Sequence, residues 1–171
     1  MSVLDDNCWL PELVELKDYG NNWERYENAI YEVFKKDFID DRPEFEEQDV
    51  WIRKYPMEYE KENAFFHVTC KDFNKTNNRE PDIRRCERIK WIRSFIENYN
   101  CDASLCENCE GIKVWREPYK NKYRVNLLFE EEQYIVILEP RENYCLLITA
   151  FYIQYQHQME KRLKKYEQFK P

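Results

Sequence analysis

The segment Phe65–Lys71 carries the residues whose types and spacing best suit catalysis. If this segment is a strand, its period of two places His67, Thr69 and Lys71 on one face. An imidazole can accept or donate a proton near neutral pH, an ammonium can stabilise a developing oxyanion, and a hydroxyl can hydrogen-bond to it. Attack of a hydroxyl on a phosphodiester needs these groups. The polar face of a half-exposed strand would show the same pattern.

Arginines and two isolated polar residues suit the binding of a phosphate. Arg88 is one helical turn from Arg84 and Arg85, so it can share a flank of a helix with either of them. A guanidinium binds phosphate through two hydrogen bonds, although a solvated helix flank has the same composition. Arg124 and Thr149 interrupt strands that are otherwise apolar. We expect such residues at a sheet edge or in a cleft.

The seven cysteines give only a partial signal for a metal site. Cys101, Cys106 and Cys109 form a C-x4-C-x2-C pattern in a polar loop, whereas zinc needs a fourth ligand from elsewhere in the fold. The odd number of cysteines and the lack of an export signal at the N-terminus indicate a reducing compartment. We therefore expect free thiols, no cofactor, no membrane contact and a cytoplasmic location.

The net charge of the 171-residue chain is −7, which argues against nucleic-acid binding over its whole surface. Two segments depart from this balance, because Asp82–Arg93 and Gln156–Pro171 each have a net charge of +3. This segregation is consistent with one face that binds an anionic ligand, and equally with solvated helix faces. The chain has only 2 glycines, which excludes the glycine-rich loops of P-loop and dinucleotide-binding proteins.

The order of the predicted elements indicates an α+β fold in a single domain, residues 1–171. Apolar residues at helical spacing predict helices, and alternating or continuous apolar residues predict strands. The predicted helices are Asn22–Phe38, Pro81–Asn98 and about Gln154–Phe169. The predicted strands are Val50–Lys54, Ala64–Cys70, Lys113–Arg116, Tyr123–Phe129, Tyr134–Leu138 and Tyr144–Phe151. The last three are expected to form an antiparallel meander, and the continuously apolar Tyr134–Leu138 is expected to be covered on both faces or central in the sheet.

Dispersed short motifs between Val50 and Lys170 resemble a phage-associated branch of the barnase–EndoU–colicin–RelE superfamily of nucleases. The motifs are His67-Val-Thr-Cys-Lys-Asp72, Pro81-Asp-Ile-Arg-Arg-Cys-Glu-Arg-Ile-Lys-Trp91, Lys122-Tyr-Arg124, Tyr134-Ile-Val-Ile-Leu-Glu-Pro-Arg141, Tyr144-Cys-Leu-Leu-Ile-Thr-Ala-Phe-Tyr152 and Lys161-Arg-Leu-Lys-Lys-Tyr-Glu167.

This resemblance implies a metal-independent endoribonuclease, often a toxin in bacterial or phage conflict. It implies a helical N-terminal part, residues 1–49, and a barnase- or RelE-like core, residues 50–171. In that fold, N-terminal helices pack on a four- to five-stranded antiparallel sheet that a C-terminal helix follows. The implied active-site residues are His67, Lys71, one arginine of the Arg85/Arg88 pair, Arg124 and Thr149. We assign Arg88 to catalysis, and Arg85, Thr69 and Arg141 to RNA binding. In cleavage through the 2′-hydroxyl of RNA, His67 would transfer a proton and Thr149 would hydrogen-bond a phosphate oxygen.

The expected partners are RNA and an antitoxin or immunity protein. Two features depart from the family pattern, since Cys70 stands where a small polar residue is expected and the cysteine-rich loop is not typical. They leave room for a regulatory variant, or for one with zinc at Cys101, Cys106 and Cys109. An alternative is a non-catalytic phage or mobile-element protein whose acidic face binds a basic partner, a hypothesis that the net charge favours.

Overall fold

The computed structural model of the chain describes residues 9–71, 80–101 and 110–171, and within them the fold is α+β. Its helices are α1 (Trp23–Lys35), α2 (Asn63–Thr69), α3 (Ile83–Glu87), α4 (Trp91–Glu97) and α5 (Gln156–Phe169), with a 3-10 turn at Leu16–Tyr19 and a π-helical turn at Lys36–Asp40. Its strands are β1 (Glu44–Phe45), β2 (Gln48–Ile52), β3 (Cys70–Lys71), β4 (Glu80–Pro81), β5 (Lys113–Tyr119), β6 (Lys122–Phe129), β7 (Tyr134–Pro140) and β8 (Cys145–Tyr152).

Six strands form a mixed sheet in the order β1-β2-β8-β7-β6-β5, and β3 and β4 form a separate ladder. The predicted meander is confirmed as β6, β7 and β8, which pair antiparallel in sequence order. The sheet has more strands than the expected four or five, and it is not wholly antiparallel. The departure from an antiparallel arrangement arises at β2, which pairs parallel with β8 through Val50–Ile52 and Cys145–Leu147. A parallel pair needs a long crossover, and the helices between β2 and β8 provide it.

Helices cover both faces of the sheet. Leu127 and Tyr134 belong to the main core, which includes residues of α1, α2, α3 and α4. Leu128 points to the other face, where it joins Trp115 and Met159 of α5 in a second core. Every residue from Tyr134 to Glu139 is buried as a result. The structure thus confirms the prediction that this strand is covered on both faces.

The predicted strand Ala64–Cys70 is wrong, because residues 63–69 form α2. Six of its seven residues are buried, and His67 is the half-buried exception. A short apolar run is compatible with a buried helix as well as a strand, so its periodicity could not decide between them. The pairing of β2 with β8 ends at Leu147, and α2 contacts β8 beyond that point. The helix therefore covers an edge of the sheet that would otherwise be open.

The first and last predicted helices are confirmed as α1 and α5, with shifts of a few residues at their ends. At α1, the Oδ1 atom of Asn22 accepts a hydrogen bond from the backbone of Arg25 at 3.0 Å, as expected for a helix cap. The predicted helix Pro81–Asn98 is instead two helices, α3 and α4, separated by a turn at residues 88–90. None of the helices in the described parts of the chain is long and apolar enough to cross a membrane.

Candidate active site

A cavity of about 480 Å³ opens between α2, α3, β8 and the turn that joins β5 to β6. Its apolar wall is Ala64, Leu146, Leu147, Ile148 and Phe151. Its other lining residues are Arg53, Asn63, His67, Cys70, Arg85, Tyr119, Arg124 and Thr149. Among the residues that the structure describes, three arginines and a histidine line the cavity and no carboxylate does. The cavity is therefore suited to an anion.

His67 lies near the C-terminal end of α2 and lines the cavity. Burial lowers the pKa of His67 below its ordinary value of 6.5, and the positive charges of Arg53 and Arg85 lower it further. A neutral imidazole can accept a proton at physiological pH. The environment of His67 therefore favours a base over an acid.

Thr149 lies next to a bulge in β8. Ile137 of β7 pairs with Thr149 while Leu138 pairs with Leu147, so Ile148 is an extra residue between them. Without the bulge, Thr149 would share the face of Leu147, which lies in the core beneath the helices. Its hydroxyl donates a hydrogen bond to the backbone carbonyl of His67 at 3.0 Å. Because a hydroxyl has only one hydrogen to donate, this bond occupies the donor that a phosphate oxygen would need.

Arg85 joins α3 to the end of α2. Asp82 caps α3 by accepting hydrogen bonds from the backbone of Arg84 and Arg85 at 3.0 and 3.4 Å, as the Pro-Asp start predicts. The Nη1 atom of Arg85 donates to the carbonyl of Cys70 at 2.6 Å. The guanidinium also lies over the ring of Phe151, at 5.4 Å from its centroid. These contacts fix the cation beside His67.

Arg124 is held by a buried carboxylate behind the cavity. Its Nε lies 3.2 Å from Oε2 of Glu139, whose other oxygen lies 2.9 Å from Nε of Arg141 and 3.7 Å from Nζ of Lys122. Burial alone would raise the pKa of Glu139, but the hydrogen bond from Arg124 and the neighbouring charges outweigh it and keep that pKa low. The guanidinium of Arg124 also stacks on Tyr119, 3.4 Å from the ring centroid. Its position is thus defined from both sides.

The structure thus gathers four of the predicted site residues around one cavity: His67, Arg85, Arg124 and Thr149. Arg141 is adjacent, in a neighbouring cavity that shares Arg53, Tyr119 and Arg124 with the first.

Three predicted site residues lie elsewhere. The expected common face of His67, Thr69 and Lys71 is wrong, because it depended on a strand where α2 lies. The hydroxyl of Thr69 is buried and donates to the carbonyl of Phe65 at 2.8 Å, within the helix. Lys71 is exposed in β3 and does not line the cavity. Arg88 lies over the rings of Trp91 and Tyr152, at 5.0 and 4.7 Å, instead of reaching the cavity.

Arg53 and Tyr119 line the cavity and Glu139 holds Arg124 behind it, but the sequence analysis selected none of the three. Arg53 follows the last residue of β2, and its backbone carbonyl accepts a hydrogen bond from Ala64 at the start of α2. Glu139 follows the apolar run of β7. A charged residue at the end of a buried strand was the one feature of the sequence that could have pointed to it. Tyr119 stands at the β5–β6 turn, where nothing in the pattern distinguishes it from the other tyrosines.

The candidate zinc ligands cannot be placed as a group, since Cys106 and Cys109 lie outside the described residues. Cys101 is half-buried and a free thiol. Within residues 9–71, 80–101 and 110–171, no cluster of three or more potential metal ligands occurs.

In comparisons with protein-family models, curated proteins and solved structures, the chain shows no significant match.

Proposed function

We propose that this protein is a metal-independent endoribonuclease of toxin type, related to the barnase–EndoU–colicin–RelE superfamily. The observation that carries the proposal is the convergence of His67, Arg85 and Arg124 on one cavity, to which Arg53 adds a further cation. A base beside several fixed cations is what cleavage of a phosphodiester by a neighbouring hydroxyl requires. The resemblance of the sequence motifs supports the choice of family, and the residues around the cavity support the choice of reaction.

His67 acts as the general base in this proposal. The neutral imidazole takes the proton of the 2′-hydroxyl, the 2′-oxygen forms a bond to phosphorus, and the bond from phosphorus to the 5′-oxygen breaks. The products are a 2′,3′-cyclic phosphate and a 5′-hydroxyl, whose proton comes from solvent. Arg85 and Arg124 neutralise the non-bridging oxygens, where negative charge grows in the transition state.

Thr149 and Glu139 act through other residues. Thr149 fixes the turn of α2 that carries His67, and Glu139 fixes the direction of Arg124. Both are positioning residues in this proposal, because their hydrogen-bonding groups are already engaged within the protein. Thr149 therefore has a different role from the phosphate ligand that the sequence suggested.

The decisive experiment compares His67→Gln with the wild type on single-stranded RNA in the presence of EDTA. We expect wild-type cleavage that EDTA leaves unchanged, cyclic phosphate at the new 3′ ends, and a loss of at least about 100-fold in His67→Gln. His157→Gln is the matched control, because His157 is the other histidine of the chain and stacks on Tyr155 outside the cavity. Cleavage that EDTA abolishes while His67→Gln retains it would refute the proposal.

A second candidate function is a protein-interaction domain that binds a basic partner. One observation favours it: Asp40, Asp41, Glu44, Glu46, Glu47 and Asp49 are all exposed within ten residues of chain. Expression in bacteria separates the two functions. A nuclease toxin should arrest growth, and His67→Gln should remove the arrest. An interaction domain should cause no arrest and should bind no RNA at low salt.

A further inference from the structure

A second basic cavity of about 400 Å³ lies between α5 and the end of β8. Lys161, Arg162 and Lys165 line it, and Lys165 follows the other two by four and three residues, which places all three on one flank of α5. The one carboxylate among its lining residues is that of Glu117. Three cations against one anion give this cavity a positive charge, on a chain whose net charge is −7.

Arg162 is the central residue of this cavity. Burial lowers the pKa of its guanidinium, and the charge of Glu117 offsets this only in part. No carboxylate among the described residues lies within ion-pair distance of Arg162. Removing a guanidinium from water without an ion-pair partner costs free energy, and an incoming anion recovers it.

Phe151 connects this cavity to the candidate active site. Its side chain lines both cavities. The guanidinium of Arg85 lies 5.4 Å from the centroid of its ring, and that of Arg162 lies 5.5 Å from the same centroid. One aromatic ring therefore separates a cation beside His67 from a cation on α5. An anionic chain can contact both guanidinium groups by passing over this one side chain.

We propose that Lys161, Arg162 and Lys165 form a subsite for the phosphates that flank the cleaved bond in single-stranded RNA. This inference rests on the proposed ribonuclease function and adds the substrate class, a flexible strand several nucleotides long. A folded acidic protein is the less suitable ligand, because the basic residues line a cavity that shares Phe151 with the cavity of His67. A polynucleotide carries its negative charges at regular intervals along its chain.

The test uses two substrates, a dinucleotide and a 12-nucleotide single-stranded RNA. The dinucleotide fills the candidate active site alone, whereas the longer RNA also reaches α5. The variant Lys161→Gln/Lys165→Gln is compared with Lys164→Gln/Lys170→Gln, which removes the same charge from exposed positions of the helix and its end. We expect the first variant to lower the ratio of kcat/KM for the long RNA to that for the dinucleotide by about 10-fold.

The salt dependence gives a second readout. We expect the slope of log(kcat/KM) against log salt for the long RNA to become shallower by about 1.4 in Lys161→Gln/Lys165→Gln, since each single-strand phosphate contact contributes about 0.7. The control variant should keep the wild-type ratio and slope. An unchanged ratio and slope in the first variant would overturn the subsite, and would leave an acidic protein as the ligand of this flank.

The two proposals fail in different ways. If His67→Gln cuts both substrates as fast as the wild type, the proposed active site is wrong. In that event, fluorescence polarisation with the 12-nucleotide RNA still tests the subsite. Weaker RNA binding in Lys161→Gln/Lys165→Gln than in Lys164→Gln/Lys170→Gln supports it, and equal binding refutes it.

Discussion

The hydroxyl of Thr149 donates a hydrogen bond to the backbone carbonyl of His67, with 3.0 Å between the two oxygens. This bond joins the edge of the sheet to the helix turn that carries the proposed base. The bulge at Ile148 lies next to Thr149 and turns it away from the face of Leu147.

Replacing Thr149 by valine should show whether the hydrogen bond of its hydroxyl positions His67. We expect Thr149→Val to lower the free energy of unfolding by about 1 kcal/mol and to lower kcat about 10-fold with a smaller effect on KM, because His67 is less well oriented. Thr149→Ser retains the hydroxyl and should restore kcat. If serine fails to restore it while both variants are equally stable, the hydrogen bond does not position His67.

The pH at which kcat/KM falls on the acidic side should depend on the charge of Arg53. Because burial and neighbouring arginines lower the pKa of His67, we expect kcat/KM to fall only below pH 6.5, as the imidazole becomes protonated. Arg53→Gln removes a positive charge from beside the ring and should move this fall to higher pH. The control is Lys54→Gln, the next cation along the chain.

Proton NMR provides a direct reading of the same shift. The chain has 2 histidines, so His157→Gln assigns the imidazole signals. A titration midpoint of His67 at or above 6.5 in the wild type, or one that does not rise in Arg53→Gln, would contradict the electrostatic argument.

Glu139 should be essential for stability at neutral pH. Glu139→Gln leaves Arg124, Arg141 and Lys122 beside a neutral side chain, and we expect a loss of about 3 kcal/mol in the free energy of unfolding at pH 7. Since the folded protein keeps the pKa of Glu139 below its ordinary value of 4.5, this stabilisation is complete above pH 4.5. It is lost as the pH falls through the lowered pKa.

The difference between Glu139→Gln and the wild type should therefore shrink at pH 3 in chemical denaturation. Glu142→Gln, an exposed glutamate in the turn after β7, is the control and should have little effect at either pH. A difference that stays constant with pH would show that the charge of Glu139 does not cause the effect.

Asp37 should show the opposite pH dependence. Burial raises the pKa of Asp37 to about 6 from an ordinary value of 3.8, although the charge of Arg93 opposes the shift. Between these values the folded protein binds more protons than the unfolded chain, so stability decreases as the pH rises. Asp37→Asn removes the ionisation and should stabilise the protein by about 1 to 3 kcal/mol at pH 8.

Thermal unfolding at pH 4 and pH 8 provides the measurement for Asp37. The advantage of Asp37→Asn should be absent at pH 4 and present at pH 8. Asp40→Asn, an exposed carboxylate in the same turn, should leave the melting temperature unchanged at both. Equal effects of the two substitutions would mean that burial of Asp37 is not the cause.

The sequence predicted the meander and the last helix because their apolar patterns are long and strongly periodic. It also selected Arg124 and Thr149, since each is a polar exception in an apolar strand. It could not predict the bulge at Ile148 beside Thr149, because a bulge shifts the strand register by one residue and no residue type marks it.

The segment around His67 shows a second reason why the sequence could not predict the whole site. Phe65, Phe66 and Val68 are buried in a helix as fully as they would be in a strand, so hydrophobicity gave no basis for a choice. The parallel pairing of β2 with β8 depends on the crossover between them, which a local pattern does not encode. For that reason the position of Arg53 at the site became evident only from the fold.

The hydrogen bond from Thr149 to His67 joins residues that are 82 positions apart in the chain. Such a contact closes a long loop of the chain, and the closure costs conformational entropy. A chain in which α2 and α3 have formed but β8 has not docked possesses His67 and Arg85 and yet has no cavity. The proposed ribonuclease activity therefore depends on the docking of β8, and a chain without that contact would carry His67 and Arg85 but would not cut RNA.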